Sequence, residues 1–305
     1  MLPPSATFCC IGFGEAGGIL GAGFAQQGCL VRAYDILLDA DGARAAMLAK
    51  LGKAGVDPAF TLADALRGAK LVISAVTATA ARDVVRDAVP LLQSGQIFLD
   101  INSISPDAKR ANALQIEASG AAYVEAAVMA PVPPQGLRTP MLLGGPRAAE
   151  LAAALGALGM NTTAVATDIG VASAIKMCRS VMIKGIESLA VECLRAARHY
   201  GAEDAVLASL AATFPAMGWT AGQPDYLVSR VAEHGRRRAA EMREVAATVA
   251  AAGVEPLMAR ATAESQDALV DAMAAAGIDY AGSAEGSEAF SWRSLADRLA
   301  AARVT

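Results

Sequence analysis

The first half of the chain alternates short apolar runs with longer segments of helical periodicity. Residues 71–76 are apolar at nearly every position, which is typical of a strand buried on both faces of a sheet. The predicted strands cover 8–13, 30–34, 71–76, 97–100, 122–128, 141–143 and 162–166. The helices are predicted from the glycines after the first strand to about residue 27, and at 41–51, 80–89, 106 onward and 146–158. Strands that alternate with helices predict βαβ units and a doubly wound α/β sheet.

The second half of the chain has no convincing strand after Gly170. Residues 171–200 have helical periodicity, and a helix of that length extends roughly 45 Å, enough to cross from one domain into another. Further helices are predicted at 202–214, 225–252, 255–276 and 285–302. Because 305 residues at roughly 150 per domain make two domains, we predict an α/β domain over 1–167 and an all-helical domain over 168–305.

A glycine pattern marks the turn after the first predicted strand. Gly12, Gly14 and Gly17 form G-x-G-x-x-G before a predicted helix, and Asp35 ends the second strand. In a Rossmann-type dinucleotide-binding domain these glycines permit a tight turn, a close approach to the pyrophosphate and close helix–strand packing. The helix N-terminus then holds the pyrophosphate. The Asp35 carboxylate would bond the ribose hydroxyls and repel a 2′-phosphate, so we expect NAD in preference to NADP.

The predicted cofactor contacts extend to the neighbouring strand. Val76 and Thr77 end the apolar run at 71–76, and in a doubly wound sheet the ligand crevice lies outside the carboxyl ends of the strands. Topology alone, without a motif, places these two residues beside the nicotinamide ribose. The complete predicted set is Gly12, Phe13, Gly14, Glu15, Ala16, Gly17, Asp35, Val76 and Thr77.

Composition and charge exclude several classes of protein. The net charge of −4 and an aromatic content of 5% argue against a nucleic-acid binder. Two histidines cannot form a three-histidine zinc site, and we predict no metal. Five cysteines without a C-x-x-C spacing favour a reducing compartment over a disulfide framework. With no apolar run of 18 residues and no basic signal-peptide start, we expect a cytoplasmic protein without membrane contact.

Four segments, in order along residues 8–256, form a pattern that is more specific than any one motif. They are 11–17, 100–106, 130–132 and the glycine and lysine at 170 and 176. Their order and spacing resemble the cofactor loop, the D-x-S-T-x-x-P segment, the A-P-V-S-G-G stretch and the G-x-G-x-x-x-K motif of the β-hydroxyacid dehydrogenases. The resemblance implies a nicotinamide cofactor, at least a homodimer, and substrate contacts at Ser103, Asn102, Pro131 and Val132.

The resemblance further implies that Lys176 is the catalytic lysine. Its sequence neighbours are apolar, and burial would lower the pKa of its ammonium group. Such a lysine can accept the hydroxyl proton of a substrate while hydride leaves the carbinol carbon, and can return it in the reverse direction. The alternative is a structural lysine that extends from an interface helix to solvent.

The chain departs from the family pattern around this lysine. Arg179 and Ser180 occupy the positions one helical turn later, where relatives carry polar residues and often asparagine. Arg179 could clamp a substrate carboxylate or pair with a nearby aspartate, and Ser180 is a weaker substitute for an orienting amide. Pro133 and Pro134 replace residues whose backbone supports the substrate carboxylate in the family, and proline has no N–H to donate.

The second domain also differs from the pattern. Ala240 stands where relatives have a second active-site lysine. Three arginines at 236–238 could replace that charge as an anion clamp, although a charge run is usually a solvated face. Lys184 could bind a phosphate or carboxylate, or could form an ion pair with Glu187 or Glu192.

We therefore expect an NAD(P)-dependent oxidoreductase that oxidises a β-hydroxy acid, or reduces the corresponding keto acid or semialdehyde. The altered anion site indicates a small-molecule substrate other than 3-hydroxyisobutyrate or 6-phosphogluconate. One alternative is an imine reductase-like enzyme, although those relatives generally replace the lysine found here at Lys176. The other is a non-catalytic NAD-sensing or scaffold protein, which would keep the glycines without needing that lysine.

Overall fold

The structure is a computed structural model in which residues 7–280 and 290–302 are described. The chain divides into two compact units, Met1–Met177 and Cys178–Thr305. The division lies inside a long helix, beyond the boundary predicted between Thr167 and Asp168, because the start of that helix hydrogen-bonds to residues of the first unit.

The described residues of the first unit form one eight-stranded sheet. Its strands are β1 (Thr7–Ile11), β2 (Leu30–Tyr34), β3 (Asp57–Pro58), β4 (Leu71–Ser74), β5 (Ile97–Asp100), β6 (Ala122–Val128), β7 (Met141–Gly144) and β8 (Thr162–Ala166). They lie in the order β3-β2-β1-β4-β5-β6-β7-β8, and neighbours are parallel except β6 and β7. The strand order reverses between β1 and β4, which is the switch point where doubly wound sheets bind ligands.

Helices connect the strands of this sheet. They are α1 (Glu15–Gln26), α2 (Asp41–Ala54), α3 (Leu62–Leu66), α4 (Ala81–Ala88), α5 (Pro106–Ala118), α6 (Val132–Gln135) and α7 (Ala148–Gly156). On β1, Phe8 and Cys10 belong to one apolar cluster, whereas Cys9 and Ile11 belong to another. Because alternate side chains of a strand point to opposite faces, the sheet is buried on both faces, which explains its continuous apolar runs.

The five cysteines of the chain are all free thiols. Cys9, Cys10 and Cys29 are buried in the first unit, whereas Cys178 and Cys193 are exposed. Burial raises the pKa of the Cys10 thiol to about 12 and raises the pKa of Cys9. The buried pair on β1 is therefore protonated at neutral pH.

The second unit is helical throughout its described residues. The long helix α8 (Val171–His199) begins in the first unit and continues into the second, followed by α9 (Glu203–Thr213), α10 (Gln223–Ala251), α11 (Leu257–Ala275) and α12 (Trp292–Ala301). Its core contains Leu194, Val231, Leu269 and Trp292. Helices α10 and α11 pack closely at Gly235, where a Cβ would lie 2.6 Å from Val270 Cγ2.

The fold class predicted from the sequence is confirmed, with local differences. β7 is antiparallel to β6, and the short elements β3 and α3 were not predicted. The helix predicted at 285–302 corresponds to α12, and residues 285–289 lie outside the described residues. Within the described residues, no helix has the combination of length and apolar character that spanning a membrane requires.

Candidate active site

The turn between β1 and α1 has the close contacts that its glycine motif requires. Gly12 has a φ of +86°, and a Cβ there would lie 2.5 Å from the carbonyl oxygen of Ala75 and 2.8 Å from Val76 Cγ1. A Cβ at Gly17 would overlap the Gly12 carbonyl oxygen. The two glycines therefore let the turn lie directly against α1 and the residues that follow β4.

Gly14, in contrast, faces open space. Among the described residues, apart from Gly14 itself and the chain next to it, no atom lies within 4 Å of a Cβ built at this position. Helix α1 begins at Glu15 with Gly14 as its N-cap, so the N-cap has no side chain to bond the first N–H groups of the helix. An open approach to a helix N-terminus fits the pyrophosphate of a dinucleotide, because the helix dipole favours negative charge there.

Lys50, on α2, fixes two peptide groups of the same turn. Its Nζ donates to the carbonyl oxygens of Phe13 at 2.6 Å and Gly14 at 2.8 Å. A trans peptide group points its C=O and its N–H in opposite directions, so the N–H groups of Gly14 and Glu15 point away from Lys50. Sequence reasoning missed this lysine, because it lies 37 residues from one partner and 36 from the other.

Asp35 connects the turn to the end of β2. Its Oδ2 accepts a hydrogen bond from the backbone N–H of Phe13 at 2.6 Å, and its Oδ1 accepts one from Leu37 at 3.0 Å. A carboxylate has about four acceptor positions, so these two bonds leave capacity for the ribose hydroxyls. The predicted ribose contact is compatible with this geometry and stays a prediction.

The residues after β4 are tied to those after β5. The backbone N–H of Val76 donates to Asn102 Oδ1 at 2.7 Å, and Asn102 Nδ2 donates to Ser74 Oγ at 2.9 Å. Asn102 is only 5% exposed, so its amide bridges the two strand ends, and the substrate contact predicted for it stays a prediction. Thr77, next to Val76, is exposed and shares a hydrogen bond with Thr79.

The two side chains with the strongest predicted chemical roles meet in the first unit. Lys176 Nζ donates to Ser103 Oγ at 2.5 Å. Ser103 belongs to the segment that follows β5, whereas Lys176 lies in the second turn of α8. Both residues are half-buried. Two motifs that are 73 residues apart are therefore brought within hydrogen-bonding distance.

The buried carboxylate of Asp100 holds the segment that contains Ser103. Asp100 Oδ1 lies 2.9 Å from Lys109 Nζ and accepts the backbone N–H of Asn102 at 2.9 Å, while Asp100 Oδ2 accepts the Tyr123 hydroxyl at 2.7 Å. Asp100 is 0% exposed and Lys109 is 1% exposed. Burial, reinforced by Asp100, raises the pKa of Tyr123 well above its ordinary value, so the phenol remains a hydrogen-bond donor.

The predicted anion-binding stretch follows β6. Val132 is buried and Pro131 is exposed, as are Pro133 and Pro134. The carbonyl oxygen of Val132 accepts a hydrogen bond from Thr139 Oγ1 at 3.3 Å. The two prolines leave this surface short of backbone donors, so the structure offers no glycine-type cradle for a carboxylate within this described stretch.

Three predicted residues of the second unit lie on or near α8. Arg179 is exposed, whereas Ser180 is buried and accepts a hydrogen bond from Lys184 Nζ at 3.4 Å. Lys184 pairs with Glu241 at 2.9 Å, not with Glu187 or Glu192, so the ion-pair interpretation named the wrong partner. Burial lowers the pKa of Lys184, and the adjacent Glu241 opposes that shift.

The three arginines at 236–238 all pair within the second unit. Arg236 contacts Asp267 at 2.9 Å and also Asp271. Arg237 contacts Glu241 at 2.7 Å. Arg238 pairs with Glu187 on α8, and both side chains are buried. These contacts favour a structural role over the anion clamp considered for this run.

Comparison with known proteins identifies the family. The NAD binding domain of 6-phosphogluconate dehydrogenase matches residues 7–166, which is more than half of the chain. The chain belongs to the β-hydroxyacid dehydrogenase family. A domain of unknown function, DUF1932, matches residues 197–269 in the helical unit. With these two matches the chain is a divergent member of the family.

Several solved structures are similar to this chain over most of its length. A conserved hypothetical protein from Sinorhizobium meliloti 1021 is 36% identical, with a TM-score of 0.75 over 99% of this chain and 97% of that one. A conserved protein of unknown function, described as structurally similar to 3-hydroxyacid dehydrogenases, is 29% identical, with a TM-score of 0.69 over 87% and 97%. The 3-hydroxyisobutyrate dehydrogenase of Mycobacterium tuberculosis, solved with L-serine, shares the fold at 16% identity, with a TM-score of 0.69 over 97% and 99%.

Membership of the β-hydroxyacid dehydrogenase family makes the chain an NAD(P)-dependent oxidoreductase. The glycine turn, with its open side at Gly14, is consistent with that assignment. Besides Lys50, sequence reasoning missed the buried Asp100–Lys109 pair and Glu125 on β6. A lone carboxylate inside an apolar strand was the available signal for Glu125, because a buried charge requires partners.

Proposed function

We propose that the protein is a dehydrogenase of a β-hydroxy acid in which Lys176 exchanges the proton of the substrate hydroxyl. The contact between Lys176 Nζ and Ser103 Oγ, 2.5 Å long, is the observation that supports this proposal. A substrate hydroxyl bound beside these two atoms would have a hydrogen-bond donor for its oxygen and an acceptor for its proton. A non-catalytic dinucleotide-binding protein would not need this pair.

The chemistry divides between cofactor and chain. A bound nicotinamide dinucleotide supplies the hydride acceptor, or the donor in the reverse direction. Ser103 Oγ fixes the oxygen of the substrate hydroxyl, and Lys176 Nζ takes its proton as the C–H bond breaks. In the reverse direction Lys176 returns the proton to the oxygen of the carbonyl. For a primary alcohol the product is a semialdehyde, and for a secondary alcohol it is a β-keto acid.

We propose NAD as the preferred dinucleotide. Gly12, Gly14 and Gly17 would hold the pyrophosphate, and Asp35 would accept hydrogen bonds from the ribose hydroxyls. Asp35 is positioned at the turn through its bond to the backbone N–H of Phe13. A 2′-phosphate beside this carboxylate would meet like charge.

We expect the carboxylate of the substrate to be bound by hydrogen-bond donors other than the backbone of residues 131–134. Pro133 and Pro134 lack N–H groups, and this absence supports a substrate with a different or larger substituent than 3-hydroxyisobutyrate. Arg179 is our candidate for the carboxylate contact.

A substrate screen with two matched lysine variants tests the proposal. Wild type, Lys176→Ala and the control Lys53→Ala, an exposed residue on α2, are assayed for NAD and NADP reduction with a panel of β-hydroxy acids. We expect Lys176→Ala to lose about 100- to 10,000-fold in kcat, the usual contribution of a general acid–base, and to keep its dinucleotide affinity by fluorescence titration. Wild-type turnover in Lys176→Ala would show that the lysine assignment is wrong.

A further inference from the structure

Glu125 is a fully buried carboxylate in the middle of β6. It is 0% exposed, and the other positions of this strand carry alanine, valine and tyrosine. Burying a charge costs free energy unless hydrogen bonds or opposite charge compensate it. The partners of Glu125 therefore indicate why the carboxylate is kept.

These partners all belong to the start of α8. Glu125 Oε1 accepts the backbone N–H groups of Gly170 at 2.7 Å and Ala172 at 3.0 Å. Glu125 Oε2 accepts the Ser173 hydroxyl at 2.7 Å and the Ser173 N–H at 3.4 Å. The first N–H groups of a helix have no partner within the helix, and the positive end of the helix dipole favours an anion there. Glu125 thus acts as a cap supplied from a different element of the fold.

The strand next to Glu125 leaves room for its carboxylate only because a glycine lies opposite it. Gly144, on the antiparallel strand β7, lies directly opposite Glu125 in the register. A Cβ at Gly144 would lie 2.5 Å from Glu125 Oε1. A larger residue than glycine at position 144 would clash with the Glu125 side chain. The carboxylate is therefore confined by β7 as well as by its hydrogen bonds to the start of α8.

On the other side, β5 aligns Asp100 with Glu125. Asp100 holds the backbone of Asn102, next to Ser103, while Glu125 holds the helix that carries Lys176. The two partners of the Lys176–Ser103 contact are therefore anchored on adjacent strands by two buried carboxylates.

Lys176 lies three residues after Ser173, which is about one turn of helix. We propose that Glu125 is a positioning residue for Lys176: by anchoring the first turn of α8 on β6, it sets the place of the lysine Nζ beside Ser103 Oγ. This inference rests on the role proposed for Lys176. The proposed role goes beyond helix capping. It requires that removal of the Glu125 anchor displace Lys176 in a protein whose first unit is still folded.

Three variants remove the anchor in different ways. Glu125→Gln keeps the size and one acceptor oxygen, Glu125→Ala removes every contact, and Gly144→Ala crowds an unchanged glutamate. Thr61→Ala is the control, because it removes the side-chain cap of α3, a bond from Asp64 N–H to Thr61 Oγ1, at a helix start that does not lead to Lys176. Thermal unfolding identifies the variants that remain folded at the assay temperature.

The kinetic test separates positioning from a general loss of fold. We expect kcat to fall about 10- to 100-fold, because a misplacement of about 1 Å can cost about 100-fold, while KM for the dinucleotide is unchanged. Glu125→Gln should retain more activity than Glu125→Ala, and Thr61→Ala should match wild type in kcat. An unchanged kcat in folded Glu125→Gln and Gly144→Ala overturns the proposal.

A second readout does not depend on turnover. The rate of lysine acetylation by a small anhydride, followed at each site by mass spectrometry, reports the surroundings of Lys176, with Lys53 as internal reference. We expect the Lys176 to Lys53 ratio to change in the Glu125 and Gly144 variants and to stay constant in Thr61→Ala. If wild type oxidises no β-hydroxy acid but this ratio changes, the proposed function fails and the positioning role stands; a constant ratio in all variants rejects the positioning role.

Discussion

The two units of the protein satisfy buried charge in different ways. In the first unit, Asp100 and Glu125 accept hydrogen bonds from backbone N–H groups as well as from side chains. In the second unit, the buried charges pair side chain to side chain, as in Lys184 with Glu241 and Arg238 with Glu187. A bond to the backbone fixes the path of the chain, whereas a pair of side chains fixes only the spacing of two helices. The proton transfer proposed for Lys176 would require fixed atoms of this kind.

The largest effect is expected for Lys109→Met in the first unit. This change leaves the buried Asp100 carboxylate without its cation, and breaking a buried ion pair typically costs about 3–5 kcal/mol. Since Asp100 also holds the backbone next to Ser103, kcat should fall in the molecules that remain folded. Urea unfolding and steady-state kinetics measure the two losses, with the exposed Lys70→Met as control. Loss of stability with full kcat would contradict a link between the Asp100 site and Ser103.

A smaller and pH-dependent effect is expected for Arg238→Met in the second unit. Burial already raises the pKa of Glu187 above its ordinary value of 4.5, and Arg238 is the main group that opposes this rise. A carboxyl group with a higher pKa in the folded state binds more protons when folded, so stability decreases as pH rises above 4.5 and recovers on acidification. Because Glu187 can take up a proton, we expect a loss of about 2–3 kcal/mol at pH 7.

Urea unfolding of Arg238→Met between pH 5 and pH 8 checks this sign. Arg237→Met is the matched control, because Arg237 is largely exposed and exposed pairs contribute about 0–1 kcal/mol. Stability of Arg238→Met that increases with pH would contradict the assignment. In contrast to Lys109→Met, kcat of the folded variant should remain close to wild type.

The smallest effect is expected for Asp35→Asn, where the carboxylate is only partly buried. The amide oxygen can still accept the N–H of Phe13, so the turn should keep its shape while the negative charge is lost. We expect the preference for NAD over NADP to weaken about tenfold, equivalent to roughly 1.4 kcal/mol. The ratio of kcat/KM for the two dinucleotides measures this change, with the exposed Asp41→Asn as control. An unchanged ratio would remove Asp35 as the determinant of cofactor choice.

Local patterns were enough to predict most elements of the fold. The apolar runs at 30–34, 97–100, 122–128 and 162–166 have the bounds of β2, β5, β6 and β8. The antiparallel direction of β7 could not be predicted, since an apolar run has the same pattern in either direction. β3 was missed because it is only two residues long and has no periodicity.

Residues of the candidate site could be predicted only where they belong to a short sequence motif. Gly12, Gly14 and Gly17 lie within one turn, and the order of the segments at 100–106 and 170–176 indicated the residues that meet at Ser103. The positions of Lys50 and Glu125 depend on contacts across 36 to 48 residues, and no periodicity reports such a contact. The partner of Lys184 was misassigned for the same reason, because Glu241 lies on a different helix.

The reactivity of the two thiols on β1 can report when the first unit opens. Cys9 and Cys10 lie on the strand that leads into the glycine turn, and they are 0% exposed. A protonated, buried thiol does not react with alkylating reagents, whereas Cys178 and Cys193 are exposed from the start. Alkylation of Cys9 and Cys10 therefore requires the dinucleotide domain to open, so its rate reports how often opening occurs. A bound dinucleotide stabilises the closed form and should slow this alkylation, more strongly the tighter it binds.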